Sequence, residues 1–123
     1  MREISLGFDT SNYTTSCACF DGAAGENSGR LLDVAPGELG LRQSEALFFH
    51  VKRLPELVDK LNIEGKIIAV GASEAPRETE GSYMPCFLAG VMAAKTNAKF
   101  LNVPRAEAPA HSPPWETRYP IAR

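Results

Sequence analysis

Four consecutive residues near the N-terminus, Asp9-Thr10-Ser11-Asn12, are of the types that bind a phosphate group. They stand between two β-prone segments, so we expect them to form a tight turn between strands. Such a turn can point backbone N–H groups and side-chain donors at an anion, while the carboxylate of Asp9 can hold a divalent cation through water. An ordinary hairpin turn uses the same residue types for local hydrogen bonds, and this alternative stays open on the four residues alone.

A second candidate anion site is the polar segment Ser73–Ser82, with the sequence S-E-A-P-R-E-T-E-G-S. It follows an apolar run typical of a parallel strand, and loops in that position hold the ligands of α/β folds. The backbone N–H groups of Gly81 and Ser82 are expected at the N-terminus of the next helix, where anions bind. Because its glutamates make the segment negative, a solvated connector with a helix cap is a competing interpretation.

The histidines and cysteines are weaker candidates. His50 lies beside the apolar stripe of an expected helix, a position typical of a satisfied core residue, and His111 has no histidine or cysteine at metal-ligand spacing. Cys17, Cys19 and Cys86 are odd in number and widely spaced. We therefore predict buried reduced thiols rather than a disulfide or a metal site.

Composition indicates a single cytoplasmic domain. The chain has 123 residues, 44% of them hydrophobic, which is enough for one compact core. A formal net charge of −2 lacks the basic excess of a nucleic-acid-binding domain. No apolar run approaches the roughly 20 residues of a membrane-spanning helix, and the N-terminus lacks the apolar core of a signal peptide.

The elements that must position these residues begin with three strands. We predict strands at Glu3–Asp9 and Thr14–Phe20 because these segments are β-prone, apolar or alternating in pattern. The Gly-rich stretch Asp21–Arg30 is expected to be a hairpin loop, and Arg30–Ala35 a third strand.

A helical period follows at Ser44–Leu61. Its apolar residues recur at steps of four, three, four and three, which predicts one face of an amphipathic helix. Pro55 is expected to kink or break this helix. The stripe consists of Leu47, Val51, Leu54, Val58 and Leu61.

The last predicted elements are a strand, a helix and a short strand. Ile67–Ala72 is a continuous apolar run of the kind found in parallel strands buried on both faces. A buried helix is expected over Tyr83–Ala98, capped by Ser82 and with Pro85 in its first turn. Phe100–Val103 is then predicted as the final strand.

The predicted element order is βββαβαβ. Three antiparallel strands followed by two crossover helices form an α/β fold, a mixed sheet with helices on its faces. This is the layout of a ribonuclease-H-like lobe, which is also the repeating half of the actin-like ATPases. This element order favours phosphate binding by the first turn over an ordinary hairpin turn.

The composition changes after Pro104. Five of the nine prolines lie between Pro104 and Pro120, in a segment without helical or strand period. We therefore assign residues 1–104 to the lobe and predict an extended or irregular tail over residues 105–123. The abrupt change suggests that the tail is the product of a frameshift or an artificial end.

Four sequence blocks, in order, resemble the first lobe of the Gcp/TsaD-like family, formerly called O-sialoglycoprotein endopeptidases. The resemblance covers about Ile4–Pro104 and implies a two-lobed actin-like ATPase fold. It also implies transfer of a threonylcarbamoyl group from its adenylate to N6 of adenosine 37 in tRNA. The blocks are L-G-F-D-T-S-N-Y-T-T-S, L-R-Q-S-E-A-L-F-F-H-V-K-R-L-P-E-L, E-G-S-Y-M-P-C-F-L-A-G-V-M-A-A-K and L-N-V-P.

The resemblance further implies cofactors and partners. An ATP-like nucleotide or threonylcarbamoyl-adenylate would be the ligand, and full-length relatives hold iron or zinc with an H-x-x-x-H pair. The implied partners are a paralogous actin-like subunit and a small ATPase, with tRNA as an indirect substrate and no membrane. Of the metal pair only His111 is present, because the position four residues later is Trp115.

Other positions map onto the family's first lobe. Asp9-Thr10-Ser11 matches the first-strand motif, His50 the histidine of the first helix, and Gly81–Lys95 the Gly-rich loop and helix. Asn12-Tyr13-Thr14-Thr15 replaces the C-D-E-T of the better-known synthases, which indicates a divergent subgroup.

We expect the N-terminal part of a protein of tRNA threonylcarbamoyladenosine biosynthesis, inactive alone because the nucleotide of this fold lies between two lobes. A first alternative is a non-catalytic paralogous lobe that binds a full-length partner through its helical face. An exposed apolar patch on the surface that normally meets the second lobe would support this alternative. A second is a ribonuclease-H-like nuclease that uses Asp9, Glu45 and Glu74 around magnesium.

Overall fold

A computed structural model of the chain describes residues 2–11, 13–32, 43–75 and 85–109, and these form the predicted βββαβαβ order. A 3₁₀ turn at Pro85–Phe87 precedes the second helix. The strands are β1 (Glu3–Asp9), β2 (Thr14–Phe20), β3 (Gly25–Leu31), β4 (Lys66–Ala75) and β5 (Arg105–Pro109), and the helices are α1 (Gln43–Val58) and α2 (Leu88–Leu101).

The five strands form one mixed sheet in the order β3-β2-β1-β4-β5. The pairs β1–β2 and β2–β3 are antiparallel, whereas β4 runs parallel to both β1 and β5. The mixed α/β architecture predicted from the element order is therefore confirmed. Because β1 and β4 are parallel neighbours, Asp9 and Ser73 end up at the same edge of the sheet.

Both described helices pack against one face of the sheet. Side chains from three strands meet side chains from both helices in the main core. The residues of α2 that face the sheet are small, so this helix lies close to the strands. The core consists of Phe8, Cys17, Leu54, Leu57, Val70, Ala94 and Ala98.

The third strand begins earlier than the predicted Arg30–Ala35. One carboxylate oxygen of Asp21 accepts hydrogen bonds from the backbone N–H groups of Ala23 and Ala24, at 2.9 and 2.8 Å. This closes a short turn, so Gly25 already pairs with Phe20 and most of the expected hairpin loop is strand.

The last strand also differs from the prediction of Phe100–Val103. Helix α2 continues to Leu101 and ends where Asn102 takes a left-handed conformation, with φ 53°. This C-cap turns the chain so that β5 forms at Arg105–Pro109, within the segment predicted to be irregular. Residues 110–123 lie outside the described residues, and the domain division stays a prediction.

The two helices depart from their predicted bounds. Pro55 lies inside α1 without ending it, because the helix continues to Val58. The α-helical part of α2 begins at Leu88 rather than Tyr83, and the predicted cap, Ser82, lies outside the described residues. Strand β4 extends to Ala75, so the first residues of the expected polar loop are strand. Neither described helix is long and apolar enough to cross a bilayer.

Candidate functional site: a polar turn and an apolar helical face

The turn between β1 and β2 is built on the carboxylate of Asp9. Its Oδ1 accepts a hydrogen bond from the backbone N–H of Ser11 at 2.8 Å. The N–H of Thr14 donates to the carbonyl of Ser11, and the hydroxyl of Ser16 donates to the carbonyl of Asp9, both at 3.4 Å. These are the local bonds of an Asx-type turn. They occupy one carboxylate oxygen of a half-buried side chain, and phosphate binding here stays a prediction.

Thr10 does not offer its hydroxyl to a ligand in this structure. Its side chain is fully buried. The hydroxyl Oγ1 donates to the carbonyl of Cys86 at 2.9 Å and accepts from the backbone N–H of Gly90 at 3.0 Å. The hydroxyl thus joins the end of β1 to the start of α2, and phosphate binding by Thr10 stays a prediction.

A groove of about 380 Å³ lies beside the turn. Polar side chains from three strands line it together with Asp9, and glycine and alanine residues also contribute to its lining. Ser73, the first residue of the second predicted anion segment, reaches the same groove as Asp9 because β1 and β4 are parallel. The polar lining consists of Asp9, Ser16, Asn27 and Ser73.

Several predicted site residues cannot be placed. Asn12, Gly81, Ser82 and His111 lie outside the described residues. Within the part of the chain that the structure describes, no three histidine, cysteine or acidic side chains come together as a metal site. The carboxylates proposed for a magnesium-dependent nuclease, of Asp9, Glu45 and Glu74, are all on described residues and are therefore not gathered into a metal site.

His50 is a core residue, as its position beside the apolar stripe predicts. It is fully buried, and its Nδ1 lies 2.7 Å from the hydroxyl of Thr15, which is also fully buried. This contact joins α1 to β2. Thr15 could not be predicted as the partner of His50, because the two residues are 35 positions apart in the chain.

The three cysteines are free and buried, as predicted. Burial, and to a lesser extent the neighbouring Cys19, raises the pKa of the Cys17 thiol above its ordinary value. Cys17 is therefore a protonated, apolar core side chain at neutral pH, and it packs against the helices.

The outer surface of the helix pair carries exposed apolar side chains. We call this surface the apolar helical face and define it by Phe48, Val51 and Pro55 of α1 with Leu88 and Met92 of α2. A groove of about 420 Å³ runs between the two helices, and Val51, Pro55 and Met92 line it. The exposed fractions are 61% for Phe48, 51% for Val51, 45% for Leu88 and 55% for Met92.

The sequence pattern predicted that one residue of this face would be buried. Val51 belongs to the stripe predicted to be buried, but half of its side chain is exposed. The buried side of α1 instead carries Ala46, His50, Leu54 and Leu57. The core is thus centred about one helical position away from the predicted stripe, and Val51 falls at its edge.

The strand order, the parallel pairing of β1 with β4, and the helices packed on the sheet define a ribonuclease-H-like fold. Among solved structures, the chain is similar to YeaZ from Pseudomonas aeruginosa, with a TM-score of 0.60 and 15% sequence identity over 87% of this chain and 44% of that chain. An uncharacterized protein with similarity to the peptidase YEAZ, also from Pseudomonas aeruginosa, gives a TM-score of 0.58 at 15% identity, over 87% and 43% of the two chains.

These likenesses show a shared fold, and the chain spans less than half the length of either protein. The RuvC structure from Thermus thermophilus is less similar, with a TM-score of 0.40 at 16% identity over 86% of this chain and 61% of that chain. No protein-family model and no curated protein matches the sequence.

Proposed function

We propose that this chain is a Gcp-like lobe that serves the formation of threonylcarbamoyladenosine on tRNA in the cytoplasm by binding a paralogous subunit. The observation that carries the proposal is the apolar helical face. The sequence blocks and the fold support the family, and the groove between the helices supports the mode of binding. In this account the chain acts as a partner and does not catalyse threonylcarbamoyl transfer alone.

The apolar helical face has the character of a protein-binding surface. Three of its apolar side chains line one groove between the two helices, those of Val51, Pro55 and Met92. Phe48, Val51, Leu88 and Met92 are each about half exposed. Contiguous exposed apolar surface of this kind typically marks an interaction site, whereas single exposed apolar residues carry no such meaning. Met92 suits a binding surface because its unbranched side chain adapts to the surface that it meets.

The groove between α1 and α2 fits a helix of the partner. Its volume is about 420 Å³, and most of the residues that line it are apolar. The polar residues of the lining are Asp59, just after α1, and Thr96 and Asn97 of α2. Helices associate when the side-chain ridges of one enter the grooves of another. A lobe of the same fold presents the same kind of helix pair, so a paralogous subunit is the partner that we propose.

The polar turn contributes one part of a ligand site in this proposal. The proposed ligand is an ATP-like nucleotide or threonylcarbamoyl-adenylate. We assign its binding to Asp9, Ser16 and Ser73, because these residues line the groove. The described residues do not fit iron or zinc, because no cluster of three ligands is found among them. We therefore assign no step to a metal ion.

Size-exclusion chromatography of the chain with a full-length Gcp/TsaD-like protein tests the binding. We expect a complex with the unmodified chain and none with Val51→Lys. Phe20→Lys is the matched control, because Phe20 is 52% exposed and Val51 is 51% exposed, but Phe20 lies at the end of β2. Absence of a complex, or a complex with all three chains alike, would contradict the proposal.

The tRNA part of the proposal needs a separate measurement. Threonylcarbamoyladenosine in tRNA can be quantified by mass spectrometry after a reaction with the full-length relative, its small ATPase and this chain. We expect no product from this chain without the relative, and a changed yield when the chain is added to the complete system. An unchanged yield together with a stable complex would leave the chain as a binding partner outside this pathway.

A further inference from the structure

The N–H of Gly90, in the first turn of α2, donates to a side chain from outside the helix. In an α-helix the N–H of residue 90 donates to the carbonyl of residue 86. Here the hydroxyl of Thr10 stands between them, since it accepts from the N–H of Gly90 at 3.0 Å and donates to the carbonyl of Cys86 at 2.9 Å. Because α2 begins at Leu88, the hydroxyl bonds the first turn of the helix and the 3₁₀ turn that precedes it.

Local structure agrees with this contact. Residues Pro85–Phe87 form a 3₁₀ turn, and the α-helix begins only at Leu88. Phe87, in the N-cap position, makes no side-chain cap hydrogen bond. The first N–H groups of a helix need partners from outside it, and Thr10 supplies one from the far end of β1.

Gly90 makes the close approach possible. A Cβ atom at this position would lie 3.2 Å from the hydroxyl oxygen of Thr10 and 3.5 Å from the Cβ of Phe8. Thr10 and Cys86 are both fully buried, so no water competes for these two hydrogen bonds. Two residues therefore form the contact: Thr10, which follows β1 and supplies a hydroxyl, and Gly90 of α2, which has no side chain.

We infer that Thr10 is a positioning residue that sets the direction of the first turn of α2 and so presents Leu88 and Met92 to the partner. Leu88 and Met92 stand two residues before and after Gly90, and both belong to the apolar helical face. Without the hydroxyl, Gly90 can bond Cys86 directly and the α-helix can extend backwards through the 3₁₀ turn. The inference rests on the proposed function, because it assumes that this face binds a partner.

A consequence is that the turn and the helical face are coupled. Thr10 lies between Asp9 and Ser11, so a ligand that moves the turn also moves the hydroxyl that holds α2. By thermodynamic linkage, a partner bound to α2 then changes ligand affinity at the turn by the same factor as the ligand changes partner affinity.

Three variants of the full chain test the inference. Thr10→Val keeps the side-chain shape and removes the hydroxyl, Thr10→Ser keeps the hydroxyl, and Gly90→Ala pushes against it from the helix. Ile4→Val is the control, because Ile4 is fully buried at the other end of β1. Affinity for the full-length Gcp/TsaD-like protein and the amide NMR signals of residues 86–92 are measured for each.

We expect Thr10→Val and Gly90→Ala each to weaken partner binding about 10-fold, as for residues that matter to an interface. We also expect Thr10→Val to shift the Gly90 amide signal, because it removes the acceptor of that N–H. Thr10→Ser should restore binding to within about 2-fold of the unmodified chain, and Ile4→Val should bind normally although it is less stable. Normal binding by Thr10→Val, with the unmodified chain also binding, would overturn the inference and leave the proposed function standing. If the unmodified chain does not bind, the proposed function fails, and an unshifted Gly90 signal in Thr10→Val would separately refute the role of Thr10.

Discussion

At the scale of single residues, buried hydroxyl groups join the sheet to the helices. Thr10 reaches α2, and Thr15 reaches His50 on α1. Sequence reasoning found the first as part of a D-T-S motif but assigned its hydroxyl to a ligand. The second was not found at all. In both cases the partner is far along the chain, so the local pattern holds no information about the contact.

Replacing Thr15 by valine should destabilise the fold. The change removes the hydroxyl that lies 2.7 Å from the Nδ1 of His50 in a site closed to water. Loss of a partner for a buried polar group costs about 1–3 kcal/mol. Urea denaturation measures the loss, and Thr14→Val, at an exposed position of the same strand, should change the free energy of unfolding by less than about 0.5 kcal/mol. Equal effects of the two changes would contradict the importance of the buried contact.

Asp21 should make the stability depend on acid pH. Hydrogen bonds from the N–H groups of Ala24 and Ala23, and then from the side chain of Arg2, lower the pKa of this carboxyl from 3.8 to about 2. A carboxyl with a lowered pKa in the folded state stabilises the fold above its unfolded pKa, and this contribution is lost as the pH falls toward the folded pKa.

The unfolding free energy measured from pH 5 down to pH 2 should therefore fall less steeply in Asp21→Asn than in the unmodified chain. Arg2→Gln should keep most of the slope, because the backbone hydrogen bonds are the larger causes. A slope unchanged by Asp21→Asn would show that another carboxyl is responsible.

At the scale of elements, the types and order of the helices and strands could be predicted, while several bounds could not. The helical period after residue 43 and the apolar run at Ile67–Ala72 are strong signals, and both elements are present. The bounds that were predicted wrongly are those of β3, α2 and β5. Single side chains determine where a turn closes or a helix ends in these places. Asp21 closes a turn earlier than its Gly-rich context indicates, and Asn102 ends a helix that Phe100 and Leu101 extend.

Asn102 offers a test at this scale. Its φ of 53° lies in the left-handed region, which asparagine and glycine tolerate better than other residues. Asn102→Ala should lower the free energy of unfolding by about 1 kcal/mol, whereas Asn102→Gly should leave it unchanged or raise it. Urea denaturation of the two variants gives the comparison, and similar stability of alanine and glycine at this position would show that the cap does not matter.

At the scale of the whole molecule, the sheet and its two helices follow from the element order, but the surface for a partner does not. Right-handed crossover connections leave few arrangements for a βββαβαβ chain, so the mixed sheet could be predicted without any contact. The apolar helical face depends on which residues of α1 are turned away from the sheet. A rotation of about one position separates the predicted stripe from the observed core, and it is enough to expose Val51.

The affinity of the chain for a full-length Gcp/TsaD-like protein, measured by calorimetry, tests the central claim most directly. Met92→Asp places a charge on the apolar helical face, in the groove between the helices, and Leu31→Asp places the same charge at a side chain of β3 that is 66% exposed. We expect Met92→Asp to weaken binding at least about 10-fold and Leu31→Asp to change it by less than about 2-fold. Equal affinity of all three chains, or no binding by any of them, would contradict the assignment of this face to a partner.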